Sequence, residues 1–350
     1  MSESDIICRY KNIQEEFLNF LENEENPDEN LQNLIQLFED TKTQDFQHEF
    51  RLFLHMLVSI SNNYHRNPNF FSKIDQILQI FNNDLKKYDK TRLFNLFKSN
   101  KRILLLLIEK KILTVNEFFV KQIIQSDYVE MKYPQYFWPE IKTFINERWF
   151  PKYEPENNKN EWVEEMKKEI PDNFDELRKK GENESFLCKL IRDDAVKDFI
   201  VYVTKNQISL KAKIYLSIYE TNSFLIDKCL QNKHDHGVTL IEYAAFYGSE
   251  SIFRFLKDEG VELTPSLWCD VIHGNNPELI HLLEDYNIEP TVTIVKKNQK
   301  VEEKSFIGCF KESIKCHHND ISNYIINKYL QKEDENSYDT FVISLKYYNF

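Results

Sequence analysis

Four side chains near the C-terminal end are of metal-ligand type: Cys309, Cys316, His317 and His318. Cys309 and Cys316 are seven apart and share a face on a helix, and thiolates with imidazoles are the ligand set of tetrahedral zinc. Adjacent His317 and His318 point about 100° apart, so both cannot join that face while the helix continues. The plainer reading puts the cysteines in the core and the histidines at a helix end, where the chain turns before Asn319-Asp320, and no metal is expected. His48 and His55 are also seven apart, beside Phe50 and Leu54. Without a Glu in an HExxH arrangement they read as helix-surface or core residues. His234-Asp235-His236, just before Gly237, reads as an exposed polar turn rather than a catalytic pair. No GxSxG, Walker A or GxGxxG sequence occurs, and carboxylates are too abundant for any one pair to indicate acid–base chemistry. The expectation is therefore no catalytic residue and no cofactor. The other cysteines, at 8, 188, 229 and 269, make no CxxC pair and sit in apolar stretches, as reduced, buried thiols do.

The elements that would position these residues are helices. The chain has 27 Phe and 18 Tyr but only 6 Gly and 10 Pro in 350 residues, too few turn formers for a sheet-rich fold. Tyr10, Ile13, Phe17 and Leu21 fall on one helical face, and so do Phe46, Phe50, Phe53, Leu54, Leu57 and Ile60. Asp28 is placed to cap a short helix through Leu31, Leu34, Ile35 and Phe38. Asn67-Pro68 is a start signal for the stripe Ile74, Ile77, Leu78 and Phe81. No glycine precedes Gly181, which excludes a phosphate-cradling loop from the first half. Five of the ten prolines and three of the four tryptophans fall between about 130 and 180, and polar Pro151–Trp162 reads as a linker. The expected organisation is 1–130 as an irregular helical region, 131–180 as an aromatic helix and linker, and 181–350 as a repeat array. The net charge of −12 argues against general nucleic-acid binding, although residues 51–150 carry a local excess of +7. Lacking a signal-peptide pattern and any long apolar run, the chain is expected to have no membrane span and to be cytoplasmic.

The repeat shows best at GVTLIEYAAFYGSESIFRFLKDEGV (237–261). Ile241, Ala244 and Ala245 form the inner face of a first helix ended by Gly248. Ile252, Phe255 and Leu256 form the inner stripe of a second, closed by Gly260, where a left-handed backbone is needed. At an offset of 27, Leu279, Leu282 and Leu283 repeat that stripe, with Asn287 in place of Gly260. Further copies fall at Phe306–Leu330 and Phe186–Val203, and Ile103, Leu106 and Leu107 make a degenerate one. Two helices that cannot bury their faces alone form a stacking unit.

The 237–261 segment resembles an ankyrin repeat without gaps. It departs from that pattern at Thr239-Leu240-Ile241-Glu242, where the ankyrin Thr-Pro-Leu-His and its threonine–histidine bond are absent or replaced. YFWPEIKTFINE (136–147), NQISLKAKIYLSIYETNSFL (206–225), VELTPSLWCDVIHGNNPELIHLLE (261–284) and KESIKCHHNDISNYI (311–325) resemble a large ankyrin-related family of unknown function, expanded in parasitic flagellate protists. The resemblance implies an all-α, ankyrin-type helical solenoid with short connections and no assigned activity. By analogy with ankyrin stacks, a protein partner would meet Asp235, His236, Val238, Tyr243, Phe246, Tyr247, Ser266, Asp270, His273 and Gly274. Phe246 and Tyr247 would serve equally well against the neighbouring repeat. The expected function is a non-enzymatic protein-binding scaffold. The alternative is a regulatory or catalytic module in 1–130 with the repeats as its targeting device. The segment 341–350 caps the array if it folds back and is a sticky patch if it does not.

Overall fold

The computed structural model describes residues 3–39, 46–65, 69–124, 130–145, 170–231, 237–296, 299–330 and 337–350. Asn67-Pro68, Pro151–Trp162, Asp235 and His236 lie outside them. The described chain is mostly helical. It opens with α1 (Glu3–Glu22), α2 (Pro27–Glu39) and α3 (Phe46–Asn63). Next come α4 (Phe70–Ile80), α5 (Asn82–Lys87), α6 (Lys90–Phe97), α7 (Lys101–Glu109) and α8 (Glu117–Ile123). Three short helices follow, α9 (Tyr133–Tyr136), α10 (Trp138–Ile141) and α11 (Phe174–Lys180). Then come α12 (Phe186–Arg192), α13 (Val196–Lys205), β1 (Lys213–Ile214), α14 (Ser223–Gln231) and β2 (Val238–Thr239). The rest is α15 (Leu240–Phe246), α16 (Glu250–Asp258), α17 (Leu267–Gly274), α18 (Pro277–Asp285), β3 (Thr291–Lys296), β4 (Gln299–Lys304), α19 (Ile307–Lys315), α20 (Asn319–Ile325) and α21 (Ser337–Tyr347).

These elements form two compact units that cut across the expected borders: 1–70 with 186–214 and 238–350, and 71–185 with 215–237. Residues 1–130 are therefore not one module. In the first unit the stripe of α1 is buried at Ile13, Phe17 and Leu21, and that of α3 at Phe50, Phe53, Leu54, Leu57 and Ile60. The Phe17 and Phe53 rings meet edge to face at 5.3 Å. Helix α2 begins at Pro27, so Asp28 lies in its first turn rather than before it.

Four helical hairpins, α12/α13, α15/α16, α17/α18 and α19/α20, stack in sequence, each first helix on the next. Left-handed residues mark their turns: Asp194, Gln207, Gly248, Gly260, Asn275, Asn287 and His317. Gly260 and its counterpart Asn287 stand where the repeat pattern puts them. At the start of α15, Thr239 Oγ1 accepts from the Glu242 amide at 3.4 Å, and Glu242 accepts from the Thr239 amide at 2.9 Å. This capping box satisfies two donors that a helix start leaves open. Neighbouring hairpins are also tied by polar contacts. The Asp194 carboxylate accepts from the Ser251 and Ile252 amides, both at 2.9 Å, and Asn276 donates to the Gly248 carbonyl at 2.9 Å.

One connection is not short. Between α18 and α19, β3 and β4 pair antiparallel over six residues each, from Thr291 opposite Lys304 to Lys296 opposite Gln299. The run Thr-Val-Thr-Ile-Val (291–295) is β-branched throughout, which favours a strand over a helix. The C-terminal segment folds back: α21 packs on α19, and buried Asn349 donates to the Ile314 carbonyl at 3.0 Å.

The second unit is built around α7, whose Ile103, Leu104, Leu105, Leu106 and Leu107 are all buried. Arg178 on α11 is buried and meets Glu140 at 2.8 Å and Asp175 at 2.5 Å. Lys101 is buried too, donates to the Met131 carbonyl at 3.2 Å, and lies 5.3 Å from the Tyr136 ring centre. Burial lowers its pKa to about 7.

Two substitutions test this packing. A methyl group on Gly274 would lie 2.3 Å from the Ala245 carbonyl oxygen, so Gly274→Ala should cost about 1–3 kcal/mol in urea unfolding. Arg178→Ala strands buried polar partners and should cost about 3 kcal/mol, with loss of the second unit's signal first. Unchanged midpoints would contradict both placements.

Candidate functional site

The richest set of chemical side chains lies where α17 meets α19. His273 occupies the last turn of α17, and Glu312 and Cys316 are one turn apart at the end of α19. Glu312 Oε1 is 2.8 Å from His273 Nε2 and accepts from Lys315 Nζ at 2.9 Å. Cys316 Sγ stands 3.4 Å from Nδ1 and 3.5 Å from Nε2 of the same ring. The Phe246 ring stacks on His273, with centres 5.3 Å apart. The end of α3 closes the cluster, because the His273 ring also hydrogen-bonds the Asn63 backbone.

The α19–α20 turn adds two histidines. His317 has φ +60° and ends α19, while His318 precedes α20. The chain thus turns before Asn319-Asp320 as the sequence indicates, with Cys309 and Cys316 in the core. Gln14 of α1 reaches His317 Nδ1 at 3.3 Å and donates to Asn349 at 2.7 Å. The His318 ring lies 5.2 Å from those of Tyr64 and His65. The N-terminal helices are therefore fastened to the last hairpin through a buried polar layer. His48 and His55 do not form a pair: His48 meets the Tyr10 hydroxyl at 3.1 Å, and His55 stacks on Tyr348.

Burial sets the electrostatics here. It pushes the Cys316 thiol well above its ordinary range, with Glu312 adding to the effect. It pushes His317 down to about 3, and it holds His318 well below its usual value together with neighbouring His65, His273 and His317. Burial opposes ionisation of Glu312, but hydrogen bonding to His273 outweighs it and, with Lys315 beside it, holds the carboxyl at about 2. The order Cys–His–Glu resembles a nucleophilic triad, yet the thiolate is the reactive form and Cys316 is 0 % exposed. This geometry does not supply an accessible nucleophile. It does gather three metal-ligand types, with the ligating atoms of His273, Glu312 and Cys316 all within 4.8 Å of one another.

Most of the residues expected to meet a partner lie inside the fold. Val238, Tyr243, Phe246, Asp270 and His273 are buried, so they are not surface anchors. Tyr243 turns inward to accept from Arg192 at 2.9 Å, and Phe246 packs on the next hairpin, as its other reading allowed. Tyr247 and Gly274 are half-buried and Ser266 is exposed. Sequence reasoning placed His273 in a groove and passed over Glu312. The available signal was Cys269 and His273 four apart on one first helix, facing Cys309, Glu312 and Cys316 on the next.

Comparison of the chain with protein-family models, curated proteins and solved structures finds no match in any of the three. Among the described residues no helix is long and apolar enough to cross a membrane.

The histidines generate a pH prediction. Neutral and buried when folded, His317 and His318 take up protons only on unfolding. Their stabilisation is full above the unfolded value of about 6.5 and is lost as pH falls towards the depressed folded values. Unfolding free energy should therefore fall from pH 7 to pH 5 by up to about 1.4 kcal/mol per pH unit for each histidine. His317→Asn should flatten that slope by roughly one proton, and an unaltered slope would show that His317 is not buried neutral.

Proposed function

We propose that this chain is a non-enzymatic protein-binding scaffold built from degenerate ankyrin-type repeats. The observation that carries the reading is the stack of four helical hairpins, first helix on first helix, with turns at repeat-equivalent positions. Such a stack devotes its interior to holding neighbours together and leaves an extended surface as its functional output. The buried Cys–His–Glu cluster supports the same reading, since its thiol is sealed from any substrate. The six cysteines form no disulfide, which agrees with a reducing, cytoplasmic setting. The alternative, a module of its own in residues 1–130, gains nothing from the division of that segment between two units.

The binding face is assigned to the first hairpin. Phe186 is 53 % and Val201 64 % exposed, a large apolar presence at the surface. Exposed Lys197, Val201 and Lys205 repeat every four residues along one face of α13, and exposed Lys189 lies on α12. Exposed apolar side chains with exposed lysines on the same two helices fit a partner segment that presents an apolar side chain flanked by carboxylates.

A pull-down compares the intact chain with a Phe186→Ser/Val201→Asp variant that retains its circular dichroism. A retained protein, then purified, should raise the thermal midpoint of the intact chain by mass action. It should bind the variant at least tenfold more weakly, and less tightly as salt rises. Equal binding to both chains would contradict the assigned face. Failure of every retained protein to stabilise the intact chain would contradict the scaffold reading.

A further inference from the structure

We propose that Glu284 and Tyr324 form a socket for a primary ammonium group, the lysine side chain of a partner polypeptide, and that the chain's own Lys328 fills it until that partner arrives. Glu284 belongs to α18 and Tyr324 to α20, and Lys328 follows on the π-turn Ile326–Leu330. Lys328 Nζ donates to Glu284 Oε2 at 2.7 Å and to the Tyr324 hydroxyl oxygen at 2.8 Å. The ring centres of Tyr324 and Tyr329 stand 5.1 and 5.4 Å from that nitrogen, and the two ring planes are inclined at 84°. A carboxylate, a phenol oxygen and two aromatic rings thus converge on one cation, which is how alkylammonium groups are recognised.

The socket is assembled without help from the lysine. Tyr324 and Tyr329 donate to Glu284 Oε1 at 2.8 and 2.5 Å, and His281 Nδ1 lies 3.3 Å from Oε2. The Tyr329 ring lies flat on Phe306, with centres 3.6 Å apart, and meets Trp268 edge to face at 6.3 Å. Residues five apart on an α-helix point about 140° apart. The π-turn brings Tyr324 and Tyr329 to one carboxylate all the same, and such turns are frequent at functional sites. Burial opposes ionisation of Glu284, but hydrogen bonds from Lys328, Tyr329, Tyr324 and His281 outweigh it and hold the carboxyl at about 2. Lys328, by contrast, is loosely held. Its side chain is 45 % exposed against 14 % for Glu284, and ion pairs open to water are weak, so a second ammonium replaces it at little cost. Both bonds to Nζ use N–H donors, which a primary ammonium has and a quaternary one lacks. Exposed Glu278 and Asp285 on the same helix add negative charge, which favours a basic segment over an isolated amine.

Lys328→Ala empties the socket at an exposed position, and circular dichroism establishes that the full-length variant is folded. Saturation-transfer NMR then measures binding of an acetylated lysine-glycine-lysine amide. The variant should bind this peptide saturably, and the intact chain about tenfold or more less tightly, because Lys328 competes. Peptides with norleucine or trimethyllysine in place of lysine, and free n-butylammonium, should each bind the variant about tenfold or more less tightly than the lysine peptide. Adding Glu284→Gln or, should that variant misfold, Tyr324→Phe should cost a similar factor. A folded Lys328→Ala chain that binds no lysine peptide would overturn the proposal. So would equal binding by the intact chain, by the norleucine or trimethyllysine peptide, or after loss of the Glu284 charge or the Tyr324 hydroxyl. Equal binding of n-butylammonium would overturn the polypeptide as the source of the ammonium. These outcomes are independent of partner binding at the first hairpin, which Phe186→Ser/Val201→Asp tests separately.

Discussion

The close approach of α15 and α17 governs the first unit. Gly274 has no side chain, and the Ala245 carbonyl occupies the space where one would begin. Alanines at 244 and 245 let the two first helices meet nearly backbone to backbone, where dispersion contacts are dense and a single methylene is felt. Because His273 immediately precedes Gly274, that approach also fixes where its ring lies relative to α19. The cluster at Glu312 and Cys316 is thus a consequence of the stacking. It also fastens the stack, since the Glu312 carboxylate would lose its hydrogen bond to His273 if the helices parted, and a buried charge left without its partner is costly.

The same geometry explains why the N-terminal helices belong with the last hairpin. The α19–α20 turn exposes polar groups at His317 and His318 that a buried surface tolerates only when hydrogen-bonded or held neutral. Gln14 of α1 meets the His317 ring and donates to Asn349, Asn349 of the C-terminal segment reaches the Ile314 carbonyl, and the Asn63 backbone at the end of α3 bonds the neighbouring His273 ring. Far-separated stretches of chain therefore close on one polar layer. Helical hairpins that in an open repeat array would present these ends to water are covered here by the protein's own chain.

Helix faces were legible in the sequence because apolar period survives substitution. The stripes of α1, α3, α4, α15 and α16 lie where spacing put them, and so do the turns at Gly248, Gly260 and Asn287. Other turns were harder to see, since Asp194, Gln207 and His317 hold left-handed conformations that glycine would ordinarily announce. The β3–β4 hairpin hid behind an all-helical expectation despite its β-branched run. The partner-facing residues were misplaced for a different reason. Analogy with an open array leaves the first-helix ends exposed, and only the tertiary fold shows residues 1–70 packed with them. The pairing of His273 with Glu312 is a contact between two helices 39 residues apart, which no local spacing encodes.

Native-state hydrogen exchange on the intact chain tests most directly whether the N-terminal helices and the last hairpins are one cooperative body. Amides of α1 and α3 should open together with those of α17 and α19 at a single free energy as urea is raised. Exchange of α1 and α3 at much lower urea, with α17 and α19 still protected, would contradict the shared unit and the buried polar layer that holds it.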